Sequence, residues 1–236
     1  VRIGQLPERY RQYSPFPHVL AQAAMICVLT STATSAPVVA GLLGGSISVT
    51  AAYSIISNLS VAIIGPVFLS FIGRTDSSIS LTSSFWHIFT SVIPILILPF
   101  IIALAVQKAA PVVHKKIQSA QIISFYIWAA ALTIVIGNIT QYIRLQDDGN
   151  YTLEIIIAST SLVLCLLQFY FGRKIGKRYG RTVAGGQGLG QKNTVLAIWL
   201  TQTYLNPLAT LGPGAYVLWQ NLVNSWQIWR HAKRNY

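Results

Sequence analysis

Gln187, Gln191, Lys192, Asn193 and Thr194 are grouped in the segment Gly185-Gly-Gln-Gly-Leu-Gly-Gln-Lys-Asn-Thr194. It lies between a basic run, Arg173 to Arg181, and an apolar run, Val195 to Leu200. Carboxamides and a hydroxyl can ligate a cation or hydrogen-bond an anion, and the lysine adds a full positive charge. A polar, glycine-broken segment inside a membrane span usually lines a cavity or a binding site. The segment also has the outward form of a phosphate loop. That motif needs Gly-Lys-Ser/Thr in direct succession after a strand. Here Gln191 separates Gly190 from Lys192, Asn193 follows the lysine, and no strand pattern precedes it. Nucleotide binding is therefore rejected.

The elements that must hold these residues are membrane helices. Of 236 residues 53% are hydrophobic and only 9% charged, against about 25% charged in a soluble domain. Apolar runs exceed 18 residues, the length that marks a transmembrane helix. The five acids (Glu8, Asp76, Asp147, Asp148, Glu154) fall between apolar runs or at their edges. So do the 17 Lys and Arg, with Lys192 as the exception. The net charge of +12 is read as basic loops on the cytoplasmic side of a bilayer protein, with no nucleic acid as partner. Cys27 and Cys165 lie in apolar runs and imply neither metal nor disulfide. Residues 1–15 are polar, without a signal-peptide pattern. With Val1 in the place of an initiator Met, they suggest that an upstream part is missing.

The chain reads as one all-α transmembrane domain of seven spans over residues 1–236. Span one, 16–43, is interrupted by Thr30-Ser-Thr-Ala-Thr-Ser-Ala-Pro37. Thr34 or Ser35 before Pro37 suits a cap and a new first turn, so a broken helix restarting near Pro37 is expected; a simple proline kink is the alternative. Span two, 47–72, follows Gly44-Gly45 and carries Thr50, Ser54, Ser57 and Asn58 on one stripe, either a cavity lining or helix-to-helix glue. Spans three, four and five are 85–106, 122–143 and 153–171, with Asn138 and Gln141 near the end of the fourth. Lys108, Lys115 and Lys116 fall in a loop. Span six, 182–205, contains the glycine-rich segment. Span seven, 208–229, carries a second polar stripe, Gln220, Asn224 and Gln227, and Trp219, Trp226 and Trp229 as packing or interfacial anchors. Arg and Lys in the loops after spans three and five and at the C-terminus share one side. The positive-inside rule makes that side cytoplasmic, in a plasma membrane or a bacterial inner membrane.

Lys192 lies ten residues after Thr182, about 15 Å along a helix, near the middle of a core about 30 Å thick. Asn193 or Thr194 can cap a second half-helix running to Leu205. Two free helix N-termini facing each other would make an anion site. Lys192 would add its charge there, or would snorkel or stay neutral. A lysine at this depth costs about 2.5 kcal/mol or more, so a compensating role is expected.

Three stretches resemble the bile acid:sodium symporter family of secondary transporters. Thr34-Ser-Ala-Pro-Val-Val-Ala-Gly-Leu-Leu-Gly-Gly45 is similar to its crossover segment, Ile47 to Pro66 to the next helix, and Arg181-Thr-Val-Ala184 with Gly188 and Gln191 to its second broken helix. Pro213-Gly214 and Asn221 fit its last helix. The resemblance implies ten helices in two inverted repeats with two crossing broken helices, of which this chain would hold helices four to ten. It implies alternating-access transport of an organic anion, bile-acid-like or a smaller carboxylate, coupled to sodium. Together with the breaks and the stripe, it gives substrate or ion contacts at Thr34, Ser35, Thr50, Ser54, Asn58, Gln187, Gln191, Lys192, Asn193 and Thr194. The family's sodium-site hydroxyls fall on Thr50 and Ser54. Its Ser-Asn falls on Ala36 and Pro37, its acidic ligand on Gln187, and an asparagine on Lys192. A sodium site at Thr50, Ser54, Gln187 and Gln191, with no carboxylate and beside a lysine, is expected to be weak. The Lys192 ammonium is then expected to stand in for sodium. A modified sodium-coupled site and a non-transporting sensor on the same scaffold are the other readings. No paired carboxylates or Ser-His-Asp set lies in the spans, so no enzyme and no resident cofactor is expected.

Overall fold

The computed structural model describes residues 16–72, 81–120 and 151–235, with Ile123, Tyr126, Ile127, Ala130, Thr133, Ile134, Gly137 and Thr140 between them. The loop expected at residues 1–15, Asn138 and Gln141, and the loop at 144–150 lie outside the described residues. Among those described, the backbone is helical and forms no strand beyond one isolated bridge.

The helices are α1 (Phe16–Leu29), α2 (Ala36–Leu42), α3 (Ile47–Ile72), α4 (Leu81–Ala109), α5 (Pro111–Ser119), α6 (Thr152–Arg178), α7 (Thr182–Gly190), α8 (Thr194–Tyr204) and α9 (Leu211–Asn235), with a short 3₁₀ turn at Pro207–Thr210. The eight positions between 123 and 140 are helical as well. Among the described residues three helices, α3, α4 and α6, are long and apolar enough to cross a membrane. They make this an all-α membrane protein. Pro66 lies inside α3, and Pro94 and Pro99 inside α4, as membrane helices tolerate.

Several bounds differ from the sequence reading. The segment of Lys115 and Lys116 is the helix α5, not a loop, because Pro111 starts it at a first-turn position. The helix α6 runs on through the basic run to Arg178, since Lys and Arg are good helix formers. The glycine-rich segment is helical to Gly190, and only residues 191–193 are not. Its glycines cost helix propensity but allow α7 to lie directly against α6. A side chain at Gly172 would strike the carbonyl of Gly185, and one at Gly185 the carbonyl of Gly172.

The main core gathers Ile26 (α1), Leu69 (α3), Val92 (α4), Cys165 (α6), Leu200 (α8) and Tyr216 (α9). A smaller cluster joins Val19, Ala23, Ile157, Ala209 and Leu211. Gln22 ties the ends of three elements: its Nε2 donates to the Ile72 carbonyl at 2.9 Å, and its Oε1 accepts from Asn206 N at 2.8 Å. The outer faces of α3 and α4 expose Ile56, Ile63, Phe71, Ile95 and Leu98, as a lipid-facing surface does.

Candidate functional site at two paired helix breaks

Both expected breaks are present, and they meet. α1 stops at Leu29 and α2 restarts at Ala36 with Pro37 in its first turn. α7 stops at Gly190 and α8 restarts at Thr194. The extended residues of the two breaks pair antiparallel through an isolated bridge between Thr32 and Lys192. Ala33 N donates to the Gln191 carbonyl at 2.9 Å, and Asn193 N to the Ser31 carbonyl at 2.8 Å. Broken helices expose backbone groups that a bilayer cannot satisfy. Here each break satisfies the other.

Side chains close the junction. Thr32 Oγ1 donates to the Gly188 carbonyl at 2.6 Å, and Thr32 N donates to Ser57 Oγ on α3 at 3.1 Å. Gln191 Nε2 donates to Ser35 Oγ at 2.8 Å. Asn193 caps α8 by accepting from Leu196 N at 3.2 Å. Tyr53 of α3 lies flat against Gly188, where a side-chain carbon would come within 2.7 Å of its ring.

Lys192 is 6% exposed. Its ammonium does not face the two helix N-termini. It lies at the other end of the first break and donates to the Val28 carbonyl at 2.8 Å and the Thr30 carbonyl at 3.0 Å. These are unpaired carbonyls at the C-terminus of α1, the negative end of the helix dipole. A cation there is favourable in a way that a lysine among N-terminal N–H groups is not. The neighbouring carbonyls are also met: Cys27 O by Gln168 Nε2 at 3.3 Å, and Ile26 O by Thr30 Oγ1 at 2.6 Å.

The polar stripe of α9 holds the second break from behind. Gln220 Oε1 accepts from Lys192 N at 2.9 Å. Asn224 Oδ1 and Gln227 Oε1 both accept from Gln187 Nε2 at 3.2 Å. Gln227 Oε1 also accepts from Arg173 Nη1 at 3.3 Å. With its two N–H donors engaged, Gln187 leaves Oε1 buried without a donor, and so does Gln191 one helical turn later. Ser31 Oγ is a third such atom. Neutral oxygens without donors are the ligand type that a hard cation takes.

The remaining expected residues divide. Thr34 and Ser35 are exposed at the first break, and Thr194 is buried as the first residue of α8. Thr50, Ser54 and Asn58 are buried on α3. The stripe turns its hydrogen bonds inward along its own helix: Thr50 Oγ1 donates to Ser46 O at 2.9 Å, and Asn58 Nδ2 to Ser54 O at 2.8 Å. Ser57 alone of that stripe bonds to the break. Sequence reading passed over Gln168 and Tyr216 and took Arg173 only as part of the basic run. Tyr216 OH donates to the Gly190 carbonyl at 2.8 Å and accepts from Gln168 Nε2 at 3.2 Å. A lone glutamine inside the apolar run Leu166 to Phe169 was the available signal. No group of three or more His, Cys, Asp or Glu that could hold a metal occurs among the described residues. Compared with known proteins, the chain matches no family model and no curated protein.

Proposed function

We propose that this chain carries the central crossing of a secondary transporter for an organic anion, working by alternating access. In this reading the Lys192 ammonium takes the place of a sodium ion as the fixed positive charge. The observation that carries it is the seat of that ammonium, 2.8 and 3.0 Å from two carbonyls at a half-helix C-terminus. A monovalent metal ion would take such a pair of oxygens, and a covalently attached cation removes the need for one. Lys192 leaves the junction positive, because the acid that the family resemblance calls for is Gln187. Glu154, the one acid among the described residues, begins α6 far along the chain from the break. An anion is the substrate such a site attracts. The basic ends would face the cytoplasm.

A second reading keeps sodium coupling. It draws on Gln187 Oε1 and Gln191 Oε1, buried and without donors, as neutral ligands beside Thr50 and Ser54. Uptake of a panel of labelled organic anions into vesicles containing the full-length protein, with sodium or choline outside, separates the two. Equal uptake supports the built-in cation. Uptake with sodium alone restores sodium coupling and leaves Lys192 a structural pin. Binding without uptake favours a sensor.

A further inference from the structure

The basic ends of α6 and α9 carry an arrangement that the crossing does not use. Trp219 Nε1 donates to the Ala158 carbonyl at 3.1 Å, and Arg173 Nη1 to Gln227 Oε1 at 3.3 Å. α7 lies antiparallel on α6, with Gly185 at Gly172 and Arg181 at Gly176, and α9 antiparallel on α7, with Gln187 on Gln227 and Lys192 on Gln220, so α6 and α9 run parallel. Lys174, Lys177 and Arg178 of one helix therefore end on the same side as Arg230, Lys233 and Arg234 of the other.

Three of these cations lie over aromatic rings one turn earlier. Lys174 Nζ is 5.8 Å from the Tyr170 ring centre, Arg230 Cζ 5.3 Å from that of Trp226, and Lys233 Nζ 5.4 Å from that of Trp229. Side chains on a helix lean toward its N-terminus, so each cation is laid back from the helix end toward the apolar body of the molecule. At 100° per residue, Tyr170 and Lys174 flank Arg173 in one rotational sense, and Trp226 and Arg230 flank Gln227 in the opposite sense. On two parallel helices in contact through Arg173 and Gln227, opposite senses point the same way. Both pairs thus border the outward side of one seam. The rings are open there: Tyr170 is 57% exposed and Trp226 53%, while Trp229, two residues past Gln227, turns to the far side of α9.

We propose that this seam is a docking surface for the headgroup phosphates of anionic phospholipids. Tyr and Trp favour the membrane–water interface, which sets the depth, and the stacked cations supply the charge at that depth. A ring face leaves the N–H donors of a guanidinium or ammonium open to an oxygen acceptor. Glu154 is at the opposite end of α6 from Lys174, so the counter-charge must come from outside these helices. A phosphodiester held at the interface provides it.

The test uses the full-length protein in phosphatidylcholine vesicles with tryptophan fluorescence as readout. A fixed mole fraction of bromine-labelled phosphatidylglycerol or bromine-labelled phosphatidylcholine is added as quencher. Each cation strengthens attraction to an anionic surface by about fivefold in affinity, so phosphatidylglycerol is expected to quench more strongly. The excess should fall in the Trp226→Phe variant, which removes the seam tryptophan. It should shrink in Lys174→Gln/Arg230→Gln, which keeps the rings. Equal quenching of the unmodified protein by the two lipids overturns the proposal, as does an excess that survives removal of the two charges. Loss of the excess on adding inorganic phosphate, with vesicle-free salt controls unchanged, would assign the cations to a free anion and overturn it too. The unmodified protein is enough to decide if a variant does not fold. The inference stands apart from the transport reading.

Discussion

The two helix breaks have the same outline and opposite chemistry. The first, residues 30–35, is built of small hydroxyl residues and restarts on Pro37. Its N-cap residue, Ser35, makes no capping bond with its side chain; its hydroxyl accepts from Gln191 instead. The second, residues 191–193, carries its own cap in Asn193 and its own cation in Lys192. The second break caps its own restart, and it also closes the first by placing an ammonium on the end of α1. A junction that looks symmetric in outline is thus supported mainly from one side. The largest losses are expected on that side.

Lys192→Met keeps the length of the chain and removes the charge. It strips the donors from the Val28 and Thr30 carbonyls, and hydrogen bonds to a charged group are worth about 1.5–3 kcal/mol each. The return of one buried charge to neutrality offsets part of this. A net loss of about 3 kcal/mol is expected, read as a lower thermal midpoint in detergent, together with loss of anion uptake. The sharper measurement is on Lys192→Ala, which empties the seat. Sodium should raise the midpoint of that variant and leave the unmodified protein unchanged. Sodium stabilisation of the unmodified protein, lost in Gln187→Ala and kept in Lys192→Ala, would sink the idea of a built-in cation.

The next effect is steric and tests what lets α7 stand so close to α6. Gly185→Val puts carbon where the Gly172 carbonyl lies, and backbone cannot step aside as a side chain can. Overpacking of this kind costs about 1–3 kcal/mol. The equivalent change at Gly137, which meets nothing within 4 Å among the described residues, should cost far less on the same thermal scan.

These contrasts mark where the sequence was legible. The breaks could be placed because their signals are local: Pro37 can begin a helix but not continue one, and Asn193 is a cap followed by an apolar run. The start of α3 at Ile47 could be placed for the same reason, with Gly44-Gly45 before it. The helical state of 182–190 could not be read, since it depends on Gly172 of another helix compensating for poor propensity. The partner of Lys192 was equally hidden. Its position in the span follows from counting residues, but the carbonyls it meets lie more than 160 residues earlier and come within reach only when the breaks cross. The polar stripe of α3 was visible, whereas the turning of Thr50 and Asn58 onto their own backbone was not.

The smallest effects test the comparison itself. Asn193→Ala removes a side-chain cap and should destabilise by about 1 kcal/mol. Ser35→Ala removes no cap, only the acceptor for Gln191 Nε2, and should cost about 0.5–1 kcal/mol. Because Ser35 is exposed, water can replace the hydroxyl at the lower end of that range. The double variant is the decisive measurement. If the second break supports the first, losing Asn193 lets residues 191–193 shift, and the Gln191–Ser35 bond weakens before Ser35 is touched. The two losses should then sum to less than their separate values, with a coupling of about 0.5 kcal/mol or more. Additive losses would mean that each break is held independently, and the asymmetry would reduce to Lys192 alone.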